Sequence, residues 1–257
     1  MSDYSSLRFD LSDGVATIML DRPDRMNALS LDLLDEMGAA IDAALAGGAR
    51  ALILTGEGRA FCSGADLAGG LPEDLGALLN DHYHPVVRRL ADLPIPVVTA
   101  MNGPAVGAGL SFALAGDIVI AARSAYLLLA FVNIGLVPDA GATWLVAKGA
   151  GRAKALEMAL LGEKMSAGDA LSAGLVTRVV DDADVQTEAR TIASRLAKMP
   201  TAAIAMIRRQ VASALSATLE ETLEIERHNQ RIAGRSHDFA EGVTAFIEKR
   251  KPTFEGR

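Results

Sequence analysis

Two stretches of this chain share one build: a run of apolar residues that empties into a loop of small ones. Ala51-Leu52-Ile53-Leu54 is followed by Ala60-Phe61-Cys62-Ser63-Gly64-Ala65-Asp66-Leu67, and Pro96-Val97-Val98-Thr99-Ala100 by Met101-Asn102-Gly103-Pro104-Ala105-Val106-Gly107-Ala108-Gly109. Each reads as a strand ending in a loop whose small side chains leave backbone N–H groups free. Two such groups that converge on one point can hold an oxygen as it gains negative charge.

Around these units the pattern alternates. Leu7–Leu11 and Val15–Leu20 flank Ser12-Asp13-Gly14 and predict an N-terminal hairpin. A helix is expected from Leu31 to about Leu45, with Ser30 as its N-cap. Strand Ala51–Thr55, a helix over Leu75–Leu90, a strand entered past Pro94 and Pro96, and a buried helix over Val106–Leu114 follow. Asp117–Ala121 and Tyr126–Leu129 read as further strands. Strands alternating with helices imply an α/β layering with largely parallel strands. After about Val180 the pattern turns helical, broken at Pro200 and Gly234.

Composition removes several function classes. A net charge of -7 argues against nucleic acid or an anionic membrane as the main partner. With Cys62 as the single cysteine, an intrachain disulfide or cysteine-rich metal site is impossible. His82 and His84 lack the framework of a metal site and are expected at a helix start or an active-site flap. Met1-Ser2-Asp3-Tyr4 lacks the features of a signal peptide, and no apolar stretch reaches the roughly 18–20 residues of a membrane span. A soluble cytoplasmic protein is expected. Gly56-Glu57-Gly58 has Phe61 where a dinucleotide fingerprint needs its third glycine. Gly109-Leu110-Ser111-Phe112-Ala113 approaches a nucleophile elbow, but Ser111 falls inside the helix instead of at a sharp turn, so a small residue lining a pocket is the better reading. Asp139, in Leu136-Val137-Pro138-Asp139-Ala140-Gly141, has two readings from the residues alone: a helix N-cap or a catalytic acid.

Arg22-Pro23-Asp24-Arg25-Met26-Asn27-Ala28-Leu29, the Phe61–Leu67 loop and Asn102-Gly103 through Gly116-Asp117-Ile118 together resemble the crotonase (enoyl-CoA hydratase/isomerase) superfamily over nearly the whole chain. The resemblance implies a spiral core of ββα turns, residues 1–190, and a helical trimerisation region, residues 191–257. It also implies a homotrimer or dimer of trimers and an acyl-CoA substrate, with coenzyme A entering as part of that substrate and no separate cofactor. The oxyanion hole maps onto the N–H groups of Ala65 and Ala108, with Gly107 and Gly109 beside the second. The two glutamates of the superfamily's hydratases fall on Ser111 and Phe131. Neither residue supplies a carboxylate, so two-carboxylate hydration is disfavoured. Isomerases of the superfamily place an aspartate at Asp139, which favours catalysis over capping.

Within the superfamily the epoxyphenylacetyl-CoA isomerases of phenylacetate catabolism look closest. They share the run Gly116–Ser124, Gly135-Leu136-Val137-Pro138-Asp139-x-Gly141-x-Thr143-Trp144, and Ala233-Gly234-Arg235-Ser236, while Ala142 departs from their usual second glycine. The expectation is one-base proton transfer by Asp139, with Phe131 and the aliphatic wall raising its proton affinity by desolvation. The resemblance makes Arg25 a phosphate contact and gives the backbone around Ser63, Gly64, Asp66 and Leu67 to the adenine and pantetheine. Phe246 and Lys249 would complete the adenine site, sometimes from a neighbouring subunit. Without it, Arg25 and Lys249 are solvated charges and Phe246 is helix core. Arg208, Arg209 and the Glu224–Arg235 charges read as solvent faces or intersubunit pairs. Hydration by another acid, acyl-CoA hydrolysis through Ser111 and a non-enzymatic RNA-associated scaffold are the rival readings. Pocket width depends on Leu110, Phe131 and the Gly69–His84 segment, which the sequence does not place.

Overall fold

The chain opens on a hairpin. β1 (Leu7–Ser12) and β2 (Val15–Leu20) pair antiparallel, Ser12 facing Val15, across Asp13-Gly14. Both turn residues have positive φ, 52° and 73°, which gives the two-residue turn the twist that flanking strands require. α1 (Leu31–Ala46) starts where Ser30 accepts the amide of Leu33 and buries Leu33, Leu34, Met37 and Ile41 along one face. β3 (Ala51–Gly56) then runs parallel to β2, every residue buried. The computed structural model describes residues 4–68, 70 and 72–257. Met1–Asp3, read above for a signal peptide, and Gly69 and Leu71 of the unplaced segment lie outside the described residues.

α2 (Leu75–Leu78), a π-helical turn (Leu79–Tyr83) and α3 (His84–Asp92) follow, where the sequence predicts one helix. β4 (Val97–Met101) pairs parallel with β3; β5 (Ala105–Val106), α4 (Ala108–Leu114), β6 (Ile118–Ala122) and β7 (Tyr126–Leu128) come next. A 3-10 segment (Ala130–Ile134) leads to α5 (Ala142–Leu161), kinked at Gly151, then β8 (Met165–Ser166), α6 (Ala167–Ser172) and β9 (Arg178–Val180). α7 (Val185–Leu196), α8 (Thr201–Ala214), α9 (Leu219–Ala233) and α10 (His237–Ile247) complete the chain.

The main sheet has the order β1-β2-β3-β4-β6-β9 and is parallel except for β1–β2; a smaller sheet has the order β5-β7-β8. Because β3 and β4 are covered on both faces, they read as unbroken apolar runs instead of alternating ones. α7 packs onto β3, β4 and β6, so the 190/191 boundary falls inside a helix that belongs to the sheet. Among the described residues no helix is long and apolar enough to cross a membrane.

Two expectations are corrected here. Arg208 is neither a solvated nor an intersubunit charge: its side chain is 10% exposed and its Nε donates to both Asp117 oxygens at 2.8 and 2.7 Å. Nη2 donates to the Leu90 carbonyl at 3.1 Å and Nη1 to that of Leu93, joining α8 to the end of α3. A guanidinium fork matches several acceptors at once, and a helix face that looks solvated in sequence can carry one inward. Arg209 and the Glu224–Arg227 pair do lie on exposed faces. Phe246 is not helix core either; it is 84% exposed on α10.

Candidate active site

The site is assembled by two asparagines and a short ladder. Asn27 donates through Nδ2 to the carbonyls of Glu57 and Ala60, at 2.9 and 2.8 Å, while its Oδ1 accepts the Arg22 amide. Asn102 accepts the Gly56 amide and donates to the Gly58 carbonyl at 2.9 Å. These bonds satisfy loop groups that would otherwise be buried unpaired. The loops then join directly: Phe61 and Cys62 donate their amides to Pro104, each at 3.1 Å, and Val106 donates to Cys62 at 2.9 Å. The loop residues that carry the family resemblance are therefore those that hold the two loops side by side.

At the end of this ladder Gly64 turns with φ 94°, where a Cβ would stand 2.8 Å from the Val106 carbonyl. Gly107 adopts φ 54°, ψ −130°, a region closed to other residues. The residues just beyond them are Ala65 and Ala108. Neither amide donates to any group among the described residues, and both residues line one cavity of about 660 Å3.

Asp139 stands in the same cavity wall. Ala140 and Gly141 both have positive φ, 48° and 88°, and turn the chain sharply before α5. A left-handed alanine costs roughly 1–2 kcal/mol, and strain of this kind persists where the surroundings over-determine it. The Asp139 carbonyl accepts the Ala142 amide at 2.8 Å and the Ser111 hydroxyl at 3.1 Å. Its carboxylate is different: Oδ1 is buried with no hydrogen-bond partner among the described residues, and burial pushes the group up to about 6. The capping reading is corrected, because Gly141 is the N-cap of α5 and no side chain caps that end. Asp139 is the sole carboxylate among the described lining residues, and Phe131, 7% exposed, forms part of the wall.

The structure gathers Ser63, Gly64, Ala65, Leu67, Gly107, Ala108, Phe131 and Asp139 around the cavity. Other expected residues stand apart from it. Asp66 binds the Arg22 guanidinium at 2.8 Å, which holds its carboxyl below the usual range. Gly109 is behind the wall, where a Cβ would meet the Cys62 carbonyl at 2.4 Å. Ser111, 1% exposed, supports the Asp139 backbone from behind instead of lining the pocket. Arg25 sits in a 3-10 turn (Pro23–Arg25) outside the lining, its carbonyl accepting the Ser63 hydroxyl at 3.3 Å. Phe246, near the end of α10, and Lys249, just past it, do not line this chain's cavity. Burial pushes the Cys62 thiol up to about 12, which makes it unreactive at neutral pH. Among the described residues no cluster of three or more His, Cys, Asp or Glu could hold a metal.

The segment that the sequence ties to pocket width without placing it forms one wall of the cavity: Leu75, Leu78, Leu79, Tyr83 and His84 line it, with His84 at the start of α3, and Trp144, which the sequence did not assign to the pocket, lines it from α5. The spacing 75, 78, 79 marks an apolar helix face, but what it covers depends on where the helix crosses the loops. One tie is visible: a Cβ on Gly141 would lie 3.8 Å from Val87 Cγ1, so α3 rests on the turn that follows Asp139.

A family model described as enoyl-CoA hydratase/isomerase matches residues 10–257. The 1,2-epoxyphenylacetyl-CoA isomerase of Escherichia coli K12 is 46% identical over 95% of this chain and 96% of its own. A Rhodobacter capsulatus protein named "Probable enoyl-CoA hydratase" is 45% identical over 99% of each chain. The crystal structure of an enoyl-CoA hydratase subunit I from Geobacillus kaustophilus superposes with a TM-score of 0.94 at 36% identity, covering 100% of both chains.

Proposed function

Since the chain belongs to the enoyl-CoA hydratase/isomerase family, and so to a crotonase-fold enzyme family, we propose that it is an acyl-CoA isomerase. It shifts a double bond, or rearranges a ring epoxide, by one-base proton transfer at Asp139. The observation that carries this reading is a single unpartnered carboxylate that lines the same largely apolar cavity as two free amides. For a 3-enoyl thioester, the Asp139 carboxylate removes a proton from C2. The electrons move into the thioester, and the Ala65 and Ala108 amides hold the resulting oxyanion. The same carboxyl returns the proton at C4, leaving a conjugated 2-enoyl thioester. Phe131 and the leucines above exclude the water that hydration requires. The name of the Escherichia coli relative supports an aromatic, oxygenated substrate. The name of the Rhodobacter relative supports hydration, but no second carboxylate lines the cavity among the described residues.

The decisive experiment gives the purified protein a 3-enoyl-CoA and, separately, a 2-enoyl-CoA. Rising conjugated-thioester absorbance with the first is expected. A fall with the second would mean water addition and overturn the one-base reading.

Two further results are expected. A carboxylate titrating at about 6 predicts a kcat/KM that rises with pH and levels off above pH 7, with half its maximum near pH 6; a profile flat between pH 5 and 8 would remove Asp139 from the role of base. Ala108 is the first residue of α4, a position where proline fits, so Ala108→Pro deletes one amide donor with little change to the helix. Its kcat should drop by about 10²–10³, and full activity would place the oxyanion elsewhere.

The proposal extends to assembly as a homotrimer or dimer of trimers. It is supported by Leu219, Phe246 and Ile247, exposed at 75%, 84% and 72% on α9 and α10. On this reading Phe246, Lys249 and Arg25 contact coenzyme A at a subunit boundary. Light scattering at micromolar concentration tests it.

A further inference from the structure

Tyr83 has no part in the proton transfer described above, yet it is 3% exposed and lines the catalytic cavity. Buried phenols ordinarily find a hydrogen-bond partner; the Tyr83 hydroxyl has none among the described residues, and Asp139 is not bonded to it. Its position is built. Tyr83 ends the π-helical turn Leu79–Tyr83, a local widening of the kind that recurs at functional sites. It precedes Val87 by one helical turn on the same face, and Val87 rests against Gly141. The phenol is thereby placed in the wall of the cavity that Asp139 also lines. Burial first, and then the Asp139 carboxylate, push its proton affinity up, so it stays a neutral donor at any working pH. Leu75, Leu78, Leu79 and Phe131 around it supply nothing to accept that proton.

Resting on the acyl-CoA reading, we propose that Tyr83 is a specificity-determining residue whose hydroxyl donates to an oxygen carried by the acyl group, so that the site selects oxygen-bearing acyl thioesters over hydrocarbon ones of the same shape. A site with a buried donor disfavours an analogue that leaves the donor unpaired.

The test uses two saturated thioesters that cannot isomerise and differ in one ring atom: tetrahydropyran-2-ylacetyl-CoA and cyclohexylacetyl-CoA. Their dissociation constants are measured by calorimetry with the wild type and with Tyr83→Phe, which removes the hydroxyl and keeps the ring. The wild type should favour the ether, and that preference should shrink by roughly 3–10-fold in Tyr83→Phe, the worth of one neutral hydrogen bond. Equal binding of both thioesters by the wild type, or an unchanged preference in Tyr83→Phe, overturns the inference and leaves the isomerase reading standing. Failure of the wild type to bind either thioester overturns the acyl-CoA reading and this inference with it.

Discussion

Asp139→Asn is expected to lose about 10²–10⁴ in kcat, the typical worth of a positioned acid–base group, and to gain stability at the same time. The loss follows because the amide can neither take nor return a proton, while the Ala65 and Ala108 amides and the cavity stay in place. The gain follows from the unpartnered, desolvated carboxylate. Its folded-state value of about 6 lies above the ordinary aspartate value of 3.8, so the folded protein binds the proton more tightly than the unfolded one. Stability from this group is therefore full below pH 4, is lost as pH rises from 4 to 6, and stays lost above 7. The difference between the two values corresponds to nearly 3 kcal/mol, and screening through the open cavity reduces it to about 1–2 kcal/mol. Chemical denaturation of both proteins at pH 4 and pH 8 measures this directly. The variant should be the more stable at pH 8, with the difference largely gone at pH 4. An equally stable or weaker variant at pH 8 would mean that the carboxylate has a partner.

Arg208→Met is expected to cost about 3 kcal/mol, the lower end of the range for breaking a buried pair, because Asp117 keeps 30% exposure and its bond from the Val97 amide. In a chain of 257 residues that corresponds to a fall in Tm of about 6–12 °C. The cause is specific: Asp117 loses its counter-charge, and the carbonyls of Leu90 and Leu93 lose their donors. Arg208→Lys keeps the charge without the fork and should fall between the two. Thermal melts of Arg208→Met, Asp117→Asn and the double variant give the coupling. Additive losses would show that the pair contributes no coupling energy.

Several elements could be read from residue order because their determinants are local. The turn at Asp13-Gly14, the Ser30 cap and the unbroken apolar runs of β3 and β4 each announce themselves within a few residues. β5, α6, β8 and β9 escaped, and of α5 only the start was read, through the capping alternative for Asp139. β8 and β9 are two and three residues long, too short to show a period, and exist only because β7 and β6 offer an edge. α5 has a glycine kink within it and a glycine cap at each end. The capping reading of Asp139 failed because the two left-handed residues after it move the helix start to Gly141, a backbone choice that composition does not reveal.

The candidate site divides along the same line. Residue order alone determined the two amide-bearing loops, the apolar strands that deliver them and the presence of one acid after Pro138, since small residues and apolar runs act on the backbone next to them. Only tertiary structure decided that Ser111 stands behind Asp139, that Arg208 turns inward, and that Tyr83 shares the cavity wall with the carboxylate. Those outcomes depend on which surfaces meet across distant parts of the chain, and burial, hydrogen-bond satisfaction and proton affinity are all set by that meeting.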